Sequence, residues 1–250
     1  MSSSSSSKVF LALRCVVGEF LVTFIFLSVV YAMLINTSRA TDPVIAGTVI
    51  PGLVVSMVAT AIIYSFADVS GAHFNPAVTM GFIISGKMHP VKGVAYILAQ
   101  LSASIAAAAF MFLIFPNNVA GWPKIAQVIP AVPPKSSPLA TVLMMEFYLT
   151  FLLVYVIFAT AVDIPAPPAL RRLKNHFAPI AIGLTLGFLC YLGGSSSGGA
   201  FNPARVFGAS VISGNFSSHW VYWVGDLLGG SFAALLHTFV FARKIGILSP

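Results

Sequence analysis

Six apolar runs, at roughly 9–35, 43–67, 92–115, 139–162, 176–194 and 218–242, are each long enough to cross a bilayer core of about 30 Å. No other feature narrows the possible folds as much. Only 8% of the 250 residues are charged and 58% are hydrophobic, against about 25% charged in soluble domains. Water could not solvate such a surface, so the chain reads as an all-α membrane protein. Six spans return both termini to one side. The ends and the second and fourth connections carry Lys8, Arg14, Lys87, Lys92, Arg171, Arg172, Lys174, Arg243 and Lys244, whereas the first and third carry Arg39, Lys124 and Lys135. Basic residues collect on the cytoplasmic side of membrane proteins, which predicts cytoplasmic termini. The net charge of +7 comes from scattered residues without a basic stripe. It therefore reads as orientation charge, with no nucleic-acid partner.

The chain is also a duplication. "GAHFNPAVTMG" (Gly71 to Gly81) returns as "GGAFNPARVFG" (Gly198 to Gly208), and "EFLVTF" (from Glu19) as "EFYLTF" (from Glu146), both at an offset of 127 residues. "YILAQL" (from Tyr96) and "YWVGDL" (from Tyr222) match at 126. The boundaries are a polar, disordered N-terminus at 1–8, a first repeat at 9–115, an outer connecting loop at 116–138, a second repeat at 139–242 and a C-terminus at 243–250. Each repeat holds three spans, and an odd number inverts the second copy. The halves are then related by a pseudo-two-fold axis in the membrane plane.

Each Asn-Pro-Ala reads as a helix start, with Asn75 and Asn202 as caps and Pro76 and Pro203 at the first helical position. Ten residues run from Pro76 to the glycine at Gly86, about 15 Å of helix, or half the membrane. The pattern predicts two re-entrant half-helices entering from opposite faces and meeting near the centre. Irregular backbone at that depth must be buried in protein or line a wet cavity. Each helix N-terminus brings about half a positive charge, which repels cations, and the two amides donate hydrogen bonds. Such a centre suits a neutral molecule that both donates and accepts.

On these motifs the chain resembles the aquaporin or major intrinsic protein family, over about residues 9–243. The resemblance implies a passive channel for water, with glycerol, urea, ammonia and hydrogen peroxide as further neutral permeants, excluding protons and ions. It implies a pore formed at Asn75, Pro76, Ala77, Asn202, Pro203 and Ala204, and a homotetramer with one pore per subunit. It also implies a selectivity filter. Arg205 follows the second Asn-Pro-Ala, where the family keeps its pore arginine; counting from the motifs adds Val55, Cys190 and Gly199. Strict water channels of the family carry an aromatic residue and a histidine where Val55 and Cys190 stand, so this filter is expected to be wider and less polar. Val206 replaces the aspartate typical of glycerol channels, and Tyr222 and Trp223 look like the aromatic pair of water-conducting members. A channel mainly for small neutral solutes, or a coupled secondary transporter, are the alternatives. The plasma membrane is expected over an intracellular one.

Glu19 and Glu146 lie inside spans one and four. Buried carboxylates at duplicated places are read as acceptors for the N–H groups of the re-entrant loops, with a proton relay as the alternative. His73 is a candidate gate at the cytoplasmic mouth, with hydrogen bonding inside its own loop as the other reading. Asp226 aligns with Gln100 and stands where the family commonly has proline. Cys15 and Cys190 sit in apolar runs, which argues against a disulfide framework. The five histidines are isolated. No metal site, cofactor or nucleophile–base pair is legible, so an enzyme is not expected.

Overall fold

The computed structural model describes residues 5–42, 44–115, 125–127, 133, 137–162 and 167–242. Most of the connecting loop at 116–138 and all of 243–250 lie outside the described residues. Eight helices of more than one turn are described. In chain order they are α1 (Ser5–Thr37), α2 (Ile50–Phe66), α3 (Pro76–Ile84), α4 (Pro90–Ile114), α5 (Leu139–Ile157), α6 (Pro168–Gly193), α7 (Pro203–Ser213) and α8 (Trp220–Leu236). Wider π-helical turns precede α2 at Ile45–Val49 and extend α5 and α8 at Phe158–Val162 and His237–Phe241. Six of these helical stretches are long and apolar enough to span a membrane. No strand occurs among the described residues.

The short helices start and stop for local reasons. Asn75 and Asn202 are extended residues whose side-chain oxygens accept from the N–H groups of Ala77 (2.8 Å) and Ala204 (3.0 Å). Proline follows in each case. Gly86 and Gly214, at φ +73° and +71°, turn the chain out after each half-helix. That left-handed conformation is ordinary for glycine at a helix end.

Two boundaries differ from the sequence expectation. Helix α1 begins at Ser5, so 5–8 is helical rather than disordered. The apolar run has already nucleated the helix, and serine extends it at small cost. Helix α6 begins at Pro168, and Arg171, Arg172 and Lys174, read as a connection, sit exposed on it. Pro168 presets the first helical turn, and exposed basic side chains do not oppose helix formation there.

Packing follows the duplication. Helix α1 packs on α4, and its repeat counterpart α5 packs on α8. Half-helix α3 packs on α8 of the other repeat, and α7 packs on α4. Each half-helix is therefore held mainly by the opposite repeat. Small residues permit these crossings: a Cβ on Gly208 would overlap the Ser104 backbone, and one on Gly229 the Phe147 carbonyl. Gly208→Val is expected to cost at least 1–3 kcal/mol, about what overpacking typically costs. Size-exclusion chromatography of the detergent-solubilised variant should show loss of the folded species.

The polarity is inverted relative to a soluble domain. Outer faces are apolar, with Met57 71% and Leu113 82% exposed, while Glu19, Gln100, Glu146 and Asp226 have no exposed surface. That arrangement is stable only where lipid is the outer solvent.

Candidate functional site

The two loops that enter the half-helices share an unusual backbone. Gly71, Ala72 and Phe74 have positive φ, and so do Gly198, Gly199 and Phe201, at the same offset of 127 residues. For Ala72, Phe74 and Phe201 the left-handed conformation costs about 1–2 kcal/mol each. It persists because other contacts hold it, and two buried carboxylates provide most of them.

Glu19 accepts from the Ser70 hydroxyl (2.7 Å) and the N–H groups of His73 (3.0 Å) and Phe74 (2.9 Å). The Gln100 amide adds a fourth bond of 2.8 Å. Glu146 accepts from the Ser197 hydroxyl (2.5 Å) and the N–H groups of Ala200 (3.0 Å) and Phe201 (2.6 Å). The Tyr96 and Tyr222 hydroxyls donate to the carbonyls of Ser70 (2.7 Å) and Ser197 (2.8 Å). Twisted backbone inside the membrane is thereby supplied with partners.

The loops meet through their caps. Asn75 Nδ2 donates to the Phe201 carbonyl (2.8 Å), and Asn202 Nδ2 donates to the Phe74 carbonyl (2.9 Å). Each bond joins the cap of one half-helix to the residue just before the cap of the other. The two N-termini therefore abut. Each amide has two protons, and the cross-bond uses one. Pro76, Ala77, Pro203 and Ala204 are buried behind the caps as the first turns of α3 and α7.

A cavity lies on each side of this junction. One, of about 500 Å³, is lined by Asn75, His73, Phe74, Phe82, Lys87 and Asn175 among others. The second, of about 240 Å³, brings together Val55, Cys190, Gly199 and Arg205, with Phe201. All four residues counted as a filter thus face one space, from α2, α6, the second loop and α7. Arg205 is 9% exposed, and its Nη1 has no hydrogen-bond partner among the described residues. Its carbonyl accepts from the Tyr31 hydroxyl at 2.7 Å. His73 is buried, with Nδ1 3.1 Å from the Thr79 hydroxyl on the half-helix it precedes.

Sequence reasoning missed four contributors. Tyr31 has no counterpart, since the same offset leads to Phe158, so the repeat could not reveal it. The Gln100 amide bonds both Glu19 and the Thr79 hydroxyl (3.0 Å), which needs three elements at one point. The repeat did flag Tyr96 and Tyr222, but not as props for the loops. Tyr222, read with Trp223 as the aromatic pair of water-conducting members, is buried behind the second loop; Trp223 donates to His219 Nε2 at 2.9 Å. Neither lines either cavity. Among the described residues there is no cluster of metal-ligating side chains.

Known proteins resemble this chain over most of its length. The major intrinsic protein family profile matches residues 4–237. Aquaporin-B of Dictyostelium discoideum is 41% identical, over 94% of this chain and 85% of its own length. Aquaporin TIP2-1 of Arabidopsis thaliana is 36% identical, over 92% and 88% respectively. The X-ray structure of the aquaglyceroporin from Plasmodium falciparum superposes with a TM-score of 0.74 at 24% identity, covering 92% of this chain and 96% of that one, which speaks to the fold. With the profile spanning nearly the whole chain and relatives alike over most of their length, this protein, a multi-pass membrane protein of inverted repeats, belongs to the major intrinsic protein family.

Proposed function

We propose that the protein is a passive channel conducting water as its main permeant, and that it excludes ions and protons. The observation that carries this reading is the pair of reciprocal cap bonds, Asn75 to Phe201 and Asn202 to Phe74. They hold two positive helix ends at one point between two cavities. A water there accepts the second proton of each amide. Its own protons then point away from the junction, and a water chain oriented oppositely on the two sides cannot relay a proton. Cations meet about half a positive charge from each helix, and then Arg205. On the basic-residue pattern the His73 side is cytoplasmic and the Arg205 side external. His73 lines the inner cavity with its Nδ1 against the Thr79 hydroxyl, so it acts there as a hydrogen-bonding group tied to its own half-helix. The homotetramer follows from the family resemblance, and the plasma membrane is the expected location.

Stopped-flow permeability of proteoliposomes to water, glycerol, urea, ammonia and hydrogen peroxide tests the reading. Water flux should be passive and non-saturating. Osmotic permeability equal to that of empty liposomes would overturn it, and flux that follows an imposed proton gradient would favour a coupled transporter.

A second reading, conduction of small neutral solutes beside water, rests on Val55, Cys190 and Gly199 as small linings of the outer cavity. Replacing Val55 with Phe and Cys190 with His together is expected to lower any glycerol or urea flux by about tenfold while sparing water, because selectivity follows pore diameter and lining. Solute flux that persists unchanged would show that these side chains do not form the constriction. A mercurial is expected to block the wild type through Cys190, with protection in Cys190→Ser even though Cys15 remains.

A further inference from the structure

The two loop-holding carboxylates are served unequally. In the first repeat, Glu19 Oε1 accepts from Ser70 and His73, and Oε2 accepts from Phe74 and Gln100. In the second, Glu146 Oε1 accepts from Ser197 and Ala200, but Oε2 accepts, among the described residues, only from Phe201. One acceptor site on Oε2 is open. The position corresponding to the Gln100 amide is Asp226, whose carboxyl lies within hydrogen-bonding reach of Glu146. An ionised aspartate has no proton to give and would set two negative charges side by side.

The surroundings leave little alternative. Glu146 and Asp226 have no exposed surface. Helices α5 and α8 are in tight contact here, since a Cβ on Gly225 would stand 3.0 Å from the Glu146 Cβ. Asp226 Oδ1 accepts from the Thr150 hydroxyl at 3.2 Å, whereas Oδ2 has no hydrogen-bond partner among the described residues. An oxygen that no donor serves is satisfied if it carries a proton and donates it. The charged or titratable groups acting on Asp226 are Glu146 and Arg205, and Tyr222 of its own helix is close to the same three groups. One proton on the acid pair leaves a single negative charge opposite the single positive charge of Arg205. Two ionised acids would leave an uncompensated charge in a low-dielectric interior, which is strongly disfavoured.

We propose that Asp226 holds a proton and donates it through Oδ2 to Glu146 Oε2, taking the part that the Gln100 amide plays for Glu19, and thereby acts as a positioning residue for the loop that carries Gly199 and leads to Arg205. The inference deepens the channel reading and rests on it only for the functional consequence. The hydrogen bond itself stands or falls separately.

The test is infrared spectroscopy of the full chain in proteoliposomes at neutral pH, together with stopped-flow permeability. The wild type should show the carbonyl stretch of a protonated carboxylic acid, sensitive to hydrogen–deuterium exchange. Asp226→Asn should lose that band yet keep water permeability within about twofold, because its amide still supplies the fourth donor. Asp226→Ala, without a donor, should either fail to fold or lose about tenfold in water permeability. The proposal is overturned if the wild type lacks the band, if Asp226→Asn retains it, if Asp226→Asn misfolds or falls about tenfold in permeability, or if Asp226→Ala conducts like the wild type. The infrared result is read whether or not the protein conducts water, so failure of the channel reading would be seen separately.

Discussion

Glu146→Ala is expected to abolish water permeability, with the variant either absent from the membrane or present with its second loop collapsed. The substitution removes the common acceptor of the Ser197 hydroxyl and the N–H groups of Ala200 and Phe201. Each buried donor left unpaired costs about 1–3 kcal/mol. Those bonds also hold Gly199 and Phe201 at positive φ, a conformation that relaxes when its restraints go. Phe201 offers the carbonyl that Asn75 binds, so relaxation there breaks the junction as well. The loss should exceed about tenfold in permeability per folded protein, measured by stopped-flow light scattering with protein quantified by size-exclusion chromatography. Glu146→Gln keeps one carbonyl oxygen as an acceptor and should fall between the two. A Glu146→Ala protein that folds and conducts normally would show that the carboxylate does not hold the loop. The same argument applies to Glu19, whose loss orphans the Ser70 hydroxyl and the N–H groups of His73 and Phe74 and leaves the Gln100 amide only Thr79.

Arg205→Val is expected to preserve folding and water flux but to raise permeability to glycerol, urea or monovalent cations by about tenfold or more. Its Cα position should hold, because the anchors of Arg205 are backbone ones: the Tyr31 hydroxyl on its carbonyl and its N–H on the Asn202 carbonyl. The guanidinium itself has Nη1 unpaired among the described residues, in the cavity shared with Val55, Cys190 and Gly199. Removing it widens that space and deletes a fixed positive charge. Unaltered selectivity, measured as flux ratios to water and as conductance in planar bilayers, would assign Arg205 to structure alone.

Much of the fold was legible because each signal is local or duplicated. Asn-Pro followed by a glycine fixes where α3 and α7 begin and end. Apolar length marks the six spans, and an odd number of spans per repeat dictates inversion. The residues expected to form a filter were reached only by counting from motifs along the family pattern, and the structure brings those four, Val55, Cys190, Gly199 and Arg205, around one cavity. Less legible were boundaries where no residue forces a stop. Ser5–Lys8 joined α1, and the basic segment ahead of the fifth apolar run joined α6. Hydropathy measures what lipid will accept and is silent about helix that continues into the headgroup layer.

The sequence by itself determined the six crossings, the duplication, the two half-helix starts and the two carboxylates at matching depth, since each follows from neighbours in the chain or from self-similarity. Only the tertiary structure decided how the halves interlock. The Asn75 and Asn202 amides bond carbonyls 126 and 128 residues away, Tyr31 reaches Arg205 across 174 residues, and Asp226 stands where its counterpart supplies an amide proton. In a bilayer an unpaired backbone group has no water to turn to, so its partner is set by whichever element packing brings within reach.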